Sequence, residues 1–266
     1  MQGGVRQGAI VRIYILLVCA FILAPIVVVL GSSLTAAEYT SFPPHGISLR
    51  WYVEILRHEE FLDSLWTSTT VAVGASVAAL IVGTMAAMAL ARHRFPGRTA
   101  LNGLFMSPLL LPSLILGIAL LQFYTWAGIA KSPATLVLGH LVLTTPYVIR
   151  LVGASLSGFK GELELAAQNL GATPLQTFRW VTLPLIRPGL LAGAAFAAII
   201  SFDEVNVSLF LASPTTVTLP VRIFGYIEQT IDPLVTAVSS LLILISTLGV
   251  LLLEFTVGLG RLFGVE

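Results

Sequence analysis

The sequence has 266 residues, of which 56% are hydrophobic and 10% are charged, and its formal net charge is +1. An average soluble domain is about 45–50% apolar and about 25% charged, so this composition excludes an ordinary soluble enzyme and indicates an integral membrane protein. The near balance of basic and acidic residues excludes the strongly basic surface that binds nucleic acid. The single cysteine excludes a disulfide within the sequence.

Stretches without charge predict the transmembrane helices, because a charge in the hydrocarbon core is costly and a spanning helix needs about 20 apolar residues. They predict an all-α fold with six transmembrane helices in a single transmembrane domain over residues 1–266. The expected spans are residues 12–33, 64–91, 99–124, 132–152, 188–211 and 233–255. A secretory signal is the alternative for the first span, but that apolar run exceeds the usual core of about 7–15 residues. Pro108 and Pro112 lie in the third span, where proline can kink a helix.

The distribution of Lys and Arg predicts the orientation of these spans. If the N-terminus lies inside, ten of the 14 Lys and Arg residues fall on the cytoplasmic side. We therefore expect a multi-pass membrane protein with both termini in the cytoplasm.

The longest cytoplasmic connection, residues 155–187, begins with a helical pattern. Leu163, Ala166 and Leu170 recur at helical spacing, and Gly171 follows where a left-handed residue commonly ends a helix. The pattern predicts a short helix that ends just before Gly171.

A second short helix is predicted directly after the first. Thr173 is a good N-cap and Pro174 fits the first turn, where a missing N–H costs little. Pro184 is expected to end this helix. The two helices form a predicted helix–turn–helix, and its simplest alternative role is an amphipathic hairpin that only separates two spans.

Two acids interrupt the otherwise apolar fifth span. Asp203 and Glu204 lie roughly 15 residues past Pro188, or about 22 Å along a helix. Acids within a membrane usually line a cavity or pair with another group. We expect them to form a candidate path for a cation together with Phe202 and Phe210, with Asp203 the more exposed of the two. The alternative is structural, with one acid capping a broken helix or bonding a serine.

The connection between the fourth and fifth spans resembles a loop of the permease subunits of ABC importers. The signature of that loop is Glu-Ala-Ala, three residues, Gly, nine residues, Ile, one residue and Leu-Pro. The matching positions here are Ala166, Ala167, Gly171, Val181, Leu183 and Pro184. Leu165 occupies the place of the signature glutamate, and the adjacent Glu164 points about 100° away on a helix. Which carboxylate, if either, contacts a partner stays open.

The resemblance implies the type I ABC importer permease fold, a location in the bacterial inner membrane and a set of partner proteins. The loop would dock on a cytoplasmic ABC ATPase dimer through Glu164, Ala166, Ala167, Gly171, Leu183 and Pro184. The sequence lacks the G-x-x-x-x-G-K-[ST] phosphate loop, so ATP and Mg would bind to the ATPase. A second homologous permease, as a heterodimer, and an extracytoplasmic substrate-binding protein are also expected. No catalytic, cofactor-binding or metal-binding residues are expected in this chain.

Further segments resemble the spermidine and putrescine subgroup of these permeases. They include SFDEVNVSLFL in the fifth span and SPLLLPSLILGIALL in the third. Importers of opine-like compounds, aminoethylphosphonate and some metal complexes share much of this pattern and remain alternatives. A secondary transporter is an alternative of another class, although such proteins often show inverted repeats, and we detect none.

Overall fold

The computed structural model describes residues 3–159, 161–230 and 232–257, and it describes side chains from residue 11 onward except at 252–254, 256 and 257. This part of the chain forms twelve α-helices and no β-strand. The helices are α1 (Gly3–Ser32), α2 (Arg50–Ile55), α3 (Glu59–Arg92), α4 (Arg98–Met106), α5 (Ser113–Trp126), α6 (Pro133–Ser157), α7 (Glu162–Asn169), α8 (Pro174–Thr177), α9 (Leu183–Asp203), α10 (Asn206–Leu211), α11 (Leu219–Gln229) and α12 (Pro233–Val257). The prediction of an all-α membrane protein is confirmed.

Within the described residues, five helical stretches are long and apolar enough to cross a membrane. Four lie in α1, α3, α6 and α12, and the fifth runs continuously from Pro174 to Asp203. The third predicted span is not one straight helix. It consists of Arg98–Leu109 and Ser113–Trp126, which meet at an angle of 108°. Pro112 causes the break, because its extended ψ of 132° and missing N–H interrupt the helical hydrogen bonds.

The chain divides into two compact units, Met1–Leu62 with Ile223–Ile245 and Asp63–Arg222 with Ser246–Glu266. In the first unit, the Tyr52 hydroxyl lies 2.7 Å from Ser33 Oγ and 2.6 Å from Ser240 Oγ. The Tyr226 hydroxyl donates a hydrogen bond to Asp232 Oδ2 at 2.8 Å. Burial and the Asp232 carboxylate raise the pKa of Tyr226 to about 12. The prediction of a single domain stays a prediction.

The second unit is built around the close packing of α6 against α9. A Cβ on Gly189 of α9 would lie 2.7 Å from the carbonyl oxygen of Leu151 in α6. A Cβ on Gly83 of α3 would lie 2.8 Å from Cβ of Val148, which also belongs to α6. These glycines let the helix backbones approach, as small residues commonly do in membranes.

A buried histidine joins α6 to both α9 and α10. His140 is fully buried, with Nδ1 2.7 Å from Ser201 Oγ and Nε2 2.9 Å from Ser208 Oγ. Both ring nitrogens therefore have a partner, as a buried polar group requires. The two serines flank the break between α9 and α10, so His140 holds together the two sides of the segment that carries Asp203 and Glu204.

Candidate functional site

The first helix of the predicted loop is α7, and its C-terminus has the expected geometry. Gly171 has a φ of +90°, in the left-handed region. The N–H of Ala172 bonds to the carbonyl of Ala167 at 3.1 Å, and the N–H of Gly171 bonds to the carbonyl of Gln168 at 2.9 Å. This pair of hydrogen bonds is the Schellman motif. The prediction that a left-handed Gly171 ends this helix is confirmed.

The second helix begins as predicted. Thr173 Oγ1 accepts a hydrogen bond from the N–H of Gln176 at 3.3 Å, and Gln176 Oε1 accepts one from the N–H of Thr173 at 2.8 Å. These reciprocal bonds form a capping box, and Pro174 occupies the first turn.

The predicted end of the second helix at Pro184 is wrong. A π-helical turn, Phe178–Thr182, follows α8 and continues into α9, with Pro184 near the start of α9. Proline normally clashes with the carbonyl four residues before it, and the wider π turn directly ahead of Pro184 relaxes that crowding. The helix–turn–helix is therefore α7 followed by the beginning of the fifth span itself.

The side chain of Glu164 in α7 points toward α3 and the π turn, within the second unit. Its Oε2 lies 3.0 Å from Arg92 Nε at the end of α3, and its Oε1 accepts a hydrogen bond from the Thr182 hydroxyl at 2.7 Å. The side chains of Glu164 and Arg92 are only 16% and 23% exposed. The Arg92 guanidinium also lies 4.7 Å from the centre of the Phe159 ring. We call this ion pair with its threonine the Glu164 anchor. It connects α7 to α3 and to the π turn.

Several large apolar side chains are exposed on the loop, among exposed polar ones. Ala166 is exposed and Ala167 is half-buried. Large apolar side chains with more than half of their surface exposed are Leu163, Leu165, Leu170, Leu175 and Trp180. We call these five residues the exposed loop face. A group of exposed apolar side chains is typical of a protein contact surface. The residue in place of the signature glutamate, Leu165, belongs to this face, whereas Glu164 does not.

The candidate substrate path lies at the other end of α9. That helix ends at Asp203, and Glu204 leaves the helical conformation with a ψ of 118°. Glu204 Oε1 accepts a hydrogen bond from the N–H of Val207 at 3.0 Å, so it caps α10. Asp203 is exposed and accepts a hydrogen bond from the Ser246 hydroxyl at 3.3 Å.

The two aromatic candidates lie in different surroundings. Phe202 is half-buried beside Asp203. Phe210 packs against α5, where a Cβ on Gly117 would lie 2.9 Å from Phe210 Cδ2. The structure therefore places Asp203 and Phe202 at the end of α9. Glu204 instead contacts α10, and Phe210 contacts α5.

The helix order, the break between α9 and α10 and the loop geometry are those expected for a membrane transport subunit. Residues 79–257 match the family described as binding-protein-dependent transport system inner membrane component. The chain belongs to this family.

Curated relatives agree with this assignment over most of the chain. The sequence is 30% identical to the spermidine/putrescine transport system permease protein PotC of Haemophilus influenzae, covering 88% of this chain and 90% of that protein. It is 32% identical to the putrescine transport system permease protein PotI of Escherichia coli K12, covering 87% and 85%. It is 28% identical to a putative 2-aminoethylphosphonate transport system permease protein, PhnV, of Salmonella typhimurium, covering 86% and 85%.

Solved structures share the fold. A bacterial ABC transporter involved in the import of alginate contains a chain with a TM-score of 0.74 at 19% identity, covering 97% of this chain and 98% of that chain. The MetNI methionine ABC transporter, in inward-facing conformations, contains one with a TM-score of 0.60 at 19% identity, covering 77% and 96%. The type I ABC importer permease fold is confirmed.

Proposed function

We propose that this chain forms half of the translocation path of an ATP-driven importer for polyamines or a similar small organic cation. The observation that carries the proposal is the continuous helical stretch Pro174–Asp203. Its 30 residues span about 45 Å at 1.5 Å per residue. The loop signature lies at one end and the exposed carboxylate of Asp203 lies at the other. A displacement of the loop therefore reaches the acid through one element.

The partners follow from the exposed loop face. A cytoplasmic ABC ATPase dimer covers this apolar surface, binds ATP and Mg, and pushes on α7 as it closes. The Glu164 anchor passes that push to α3 and to the π turn. A second homologous permease supplies the other half of the path, an extracytoplasmic binding protein delivers the substrate, and both termini lie in the cytoplasm.

The charge at the path favours a cation over the alternatives. The polyamine permeases PotC and PotI are 30% and 32% identical to this chain, and the aminoethylphosphonate permease PhnV is 28% identical. These sequence identities are too similar to discriminate between the two substrate classes. A carboxylate exposed within a span attracts an ammonium group and repels a phosphonate, which supports the polyamine class.

Uptake by a defined strain tests the substrate class. The chain would be expressed with its partner subunits in a strain without polyamine importers, and uptake of radiolabelled putrescine, spermidine, an opine-like compound and aminoethylphosphonate would be compared. We expect accumulation of polyamines that requires the ATPase subunit. Accumulation of aminoethylphosphonate alone would overturn the substrate class, and accumulation without the ATPase would favour a secondary transporter.

Replacing Asp203 with asparagine is expected to raise the KM for polyamine uptake about tenfold, the equivalent of about 1.4 kcal/mol of lost attraction. Glu204→Gln is the matched control, because the amide oxygen can still accept the hydrogen bond from Val207 N–H. Initial uptake rates at several polyamine concentrations measure the effect. Equal KM values for Asp203→Asn and the unaltered protein would remove Asp203 from the path.

A further inference from the structure

A basic pocket lies beside the Glu164 anchor, within the second unit. Its volume is about 840 Å³, which is in the size range of small-molecule sites. The ends of α3 and α6, one side of α4 and the turn after α4 form its walls. Three arginines line it, Arg92, Arg98 and Arg150, and none of its lining residues is acidic.

The arginines of this pocket have N–H donors available to a ligand. Arg92 Nε forms an ion pair with Glu164 Oε2 at 3.0 Å, and neither Nε nor the buried Nη2 makes a hydrogen bond to a described residue. Among the described residues, no carboxylate pairs with Arg98 or Arg150. Arg98 and Arg150 are exposed at the pocket, and guanidinium groups bind anions such as phosphate through paired N–H donors.

The rest of the lining identifies the kind of anion. Asn102 and Ser157 add neutral polar groups. Most other lining residues are apolar, and they include Leu90, Met106, Leu109, Leu110, Leu156 and Phe159. A free phosphate ion would gain nothing from the apolar part of the lining. A phospholipid would place its phosphate on the arginines and its glycerol and acyl chains along the apolar side chains. Basic pockets between transmembrane helices bind anionic lipid headgroups in this way.

We propose that this pocket binds the phosphate headgroup of an anionic phospholipid. Three positive charges exclude the cationic substrate proposed above, so the pocket is separate from the transport path. Because Arg92 belongs both to the pocket and to the Glu164 anchor, a bound lipid holds Arg92 in the position that pairs with Glu164. The lipid thereby stabilises the contact between α7 and α3. The lipid site itself does not depend on which substrate is transported.

Lipid binding to the purified permease complex tests the proposal. Native mass spectrometry would measure binding of phosphatidylglycerol, phosphatidylcholine and inorganic phosphate to the unaltered protein. The test variant is Arg98→Ala with Arg150→Ala. The control is Arg94→Ala with Arg187→Ala, which removes the same charge from exposed arginines outside the pocket lining.

We expect phosphatidylglycerol to bind more tightly than phosphatidylcholine, and the test variant to bind it about 25-fold more weakly, at about fivefold per arginine. The control is expected to change binding less than about twofold. Equal binding of the two lipids, or an equal loss in the control, would overturn the proposal. Binding of inorganic phosphate as tight as that of phosphatidylglycerol would show a site for a free anion instead of a lipid. Polyamine uptake is measured separately, so failure of the lipid site leaves the transport proposal intact.

Discussion

Replacing Gly171 with isoleucine is expected to abolish transport while the protein still inserts into the membrane. Gly171 has a φ of +90°, and an L residue with a Cβ is strained there by about 1–2 kcal/mol or more when it is β-branched. Relief of that strain breaks the two hydrogen bonds that end α7, so the loop loses its shape without disturbing the spans. Uptake, normalised to the amount of protein in the membrane, measures the result.

Two controls separate the role of the loop from local strain. Gly171→Asn is expected to retain most of the uptake, because asparagine tolerates the left-handed conformation. Gly128→Ile places the same side chain at another left-handed glycine, with a φ of +68° and open space around it, but outside the loop. Loss of transport in Gly128→Ile as severe as in Gly171→Ile would attribute the effect to general strain. Normal uptake by Gly171→Ile would contradict the coupling role.

Replacing Glu164 with alanine is expected to lower ATP-driven uptake at least about tenfold while ATP hydrolysis by the complex continues. The substitution leaves the mostly buried Arg92 without its carboxylate and the Thr182 hydroxyl without its acceptor, which costs about 1–3 kcal/mol. Helix α7 then moves without moving α3 or the π turn. The ratio of substrate transported to ATP hydrolysed in proteoliposomes measures this uncoupling.

The chain offers a matched control for this prediction. Glu162 lies in the first turn of the same helix but is exposed, so Glu162→Ala is expected to keep the ratio unchanged. The exchange Glu164→Arg with Arg92→Glu restores opposite charges and is expected to recover part of the coupling. An unchanged ratio in Glu164→Ala, or an equal fall in Glu162→Ala, would contradict the anchor.

The local features of the loop were predictable from the sequence because their signals are local. Gly171 and Thr173 act on backbone groups within a few residues of themselves, and such caps have clear residue preferences. Pro184 misled the prediction, because a π turn in the preceding residues accommodates the proline and has no comparable sequence signal. Pro108 and Pro112 indicated a kink in the third span, but the angle of 108° depends on the tertiary packing.

The Glu164 anchor and the two hydrogen bonds of His140 were not predictable in the same way. Glu164 pairs with Arg92, and His140 pairs with Ser201 and Ser208, so each connects residues that are distant in the sequence. Such pairs depend on how the helices pack, which hydropathy alone does not specify. The separate environments of Asp203 and Glu204 follow from the break between α9 and α10. The only signal of that break in the sequence was the pair of acids itself.

Site-specific cross-linking tests the central claim that the loop transmits motion from an ATPase. Cys19 is the single native cysteine, so Cys19→Ser provides a cysteine-free background. In that background Leu165→Cys places a thiol on the exposed loop face at a residue that is 59% exposed, and Trp126→Cys places one at the end of α5 at a residue that is 84% exposed. We predict that Leu165→Cys cross-links to the ATPase subunit in a nucleotide-dependent way and that Trp126→Cys does not. ATP-driven uptake by a complex in which Leu165→Cys never reaches the ATPase, or reacts only with reagents added outside the cell, would contradict the account.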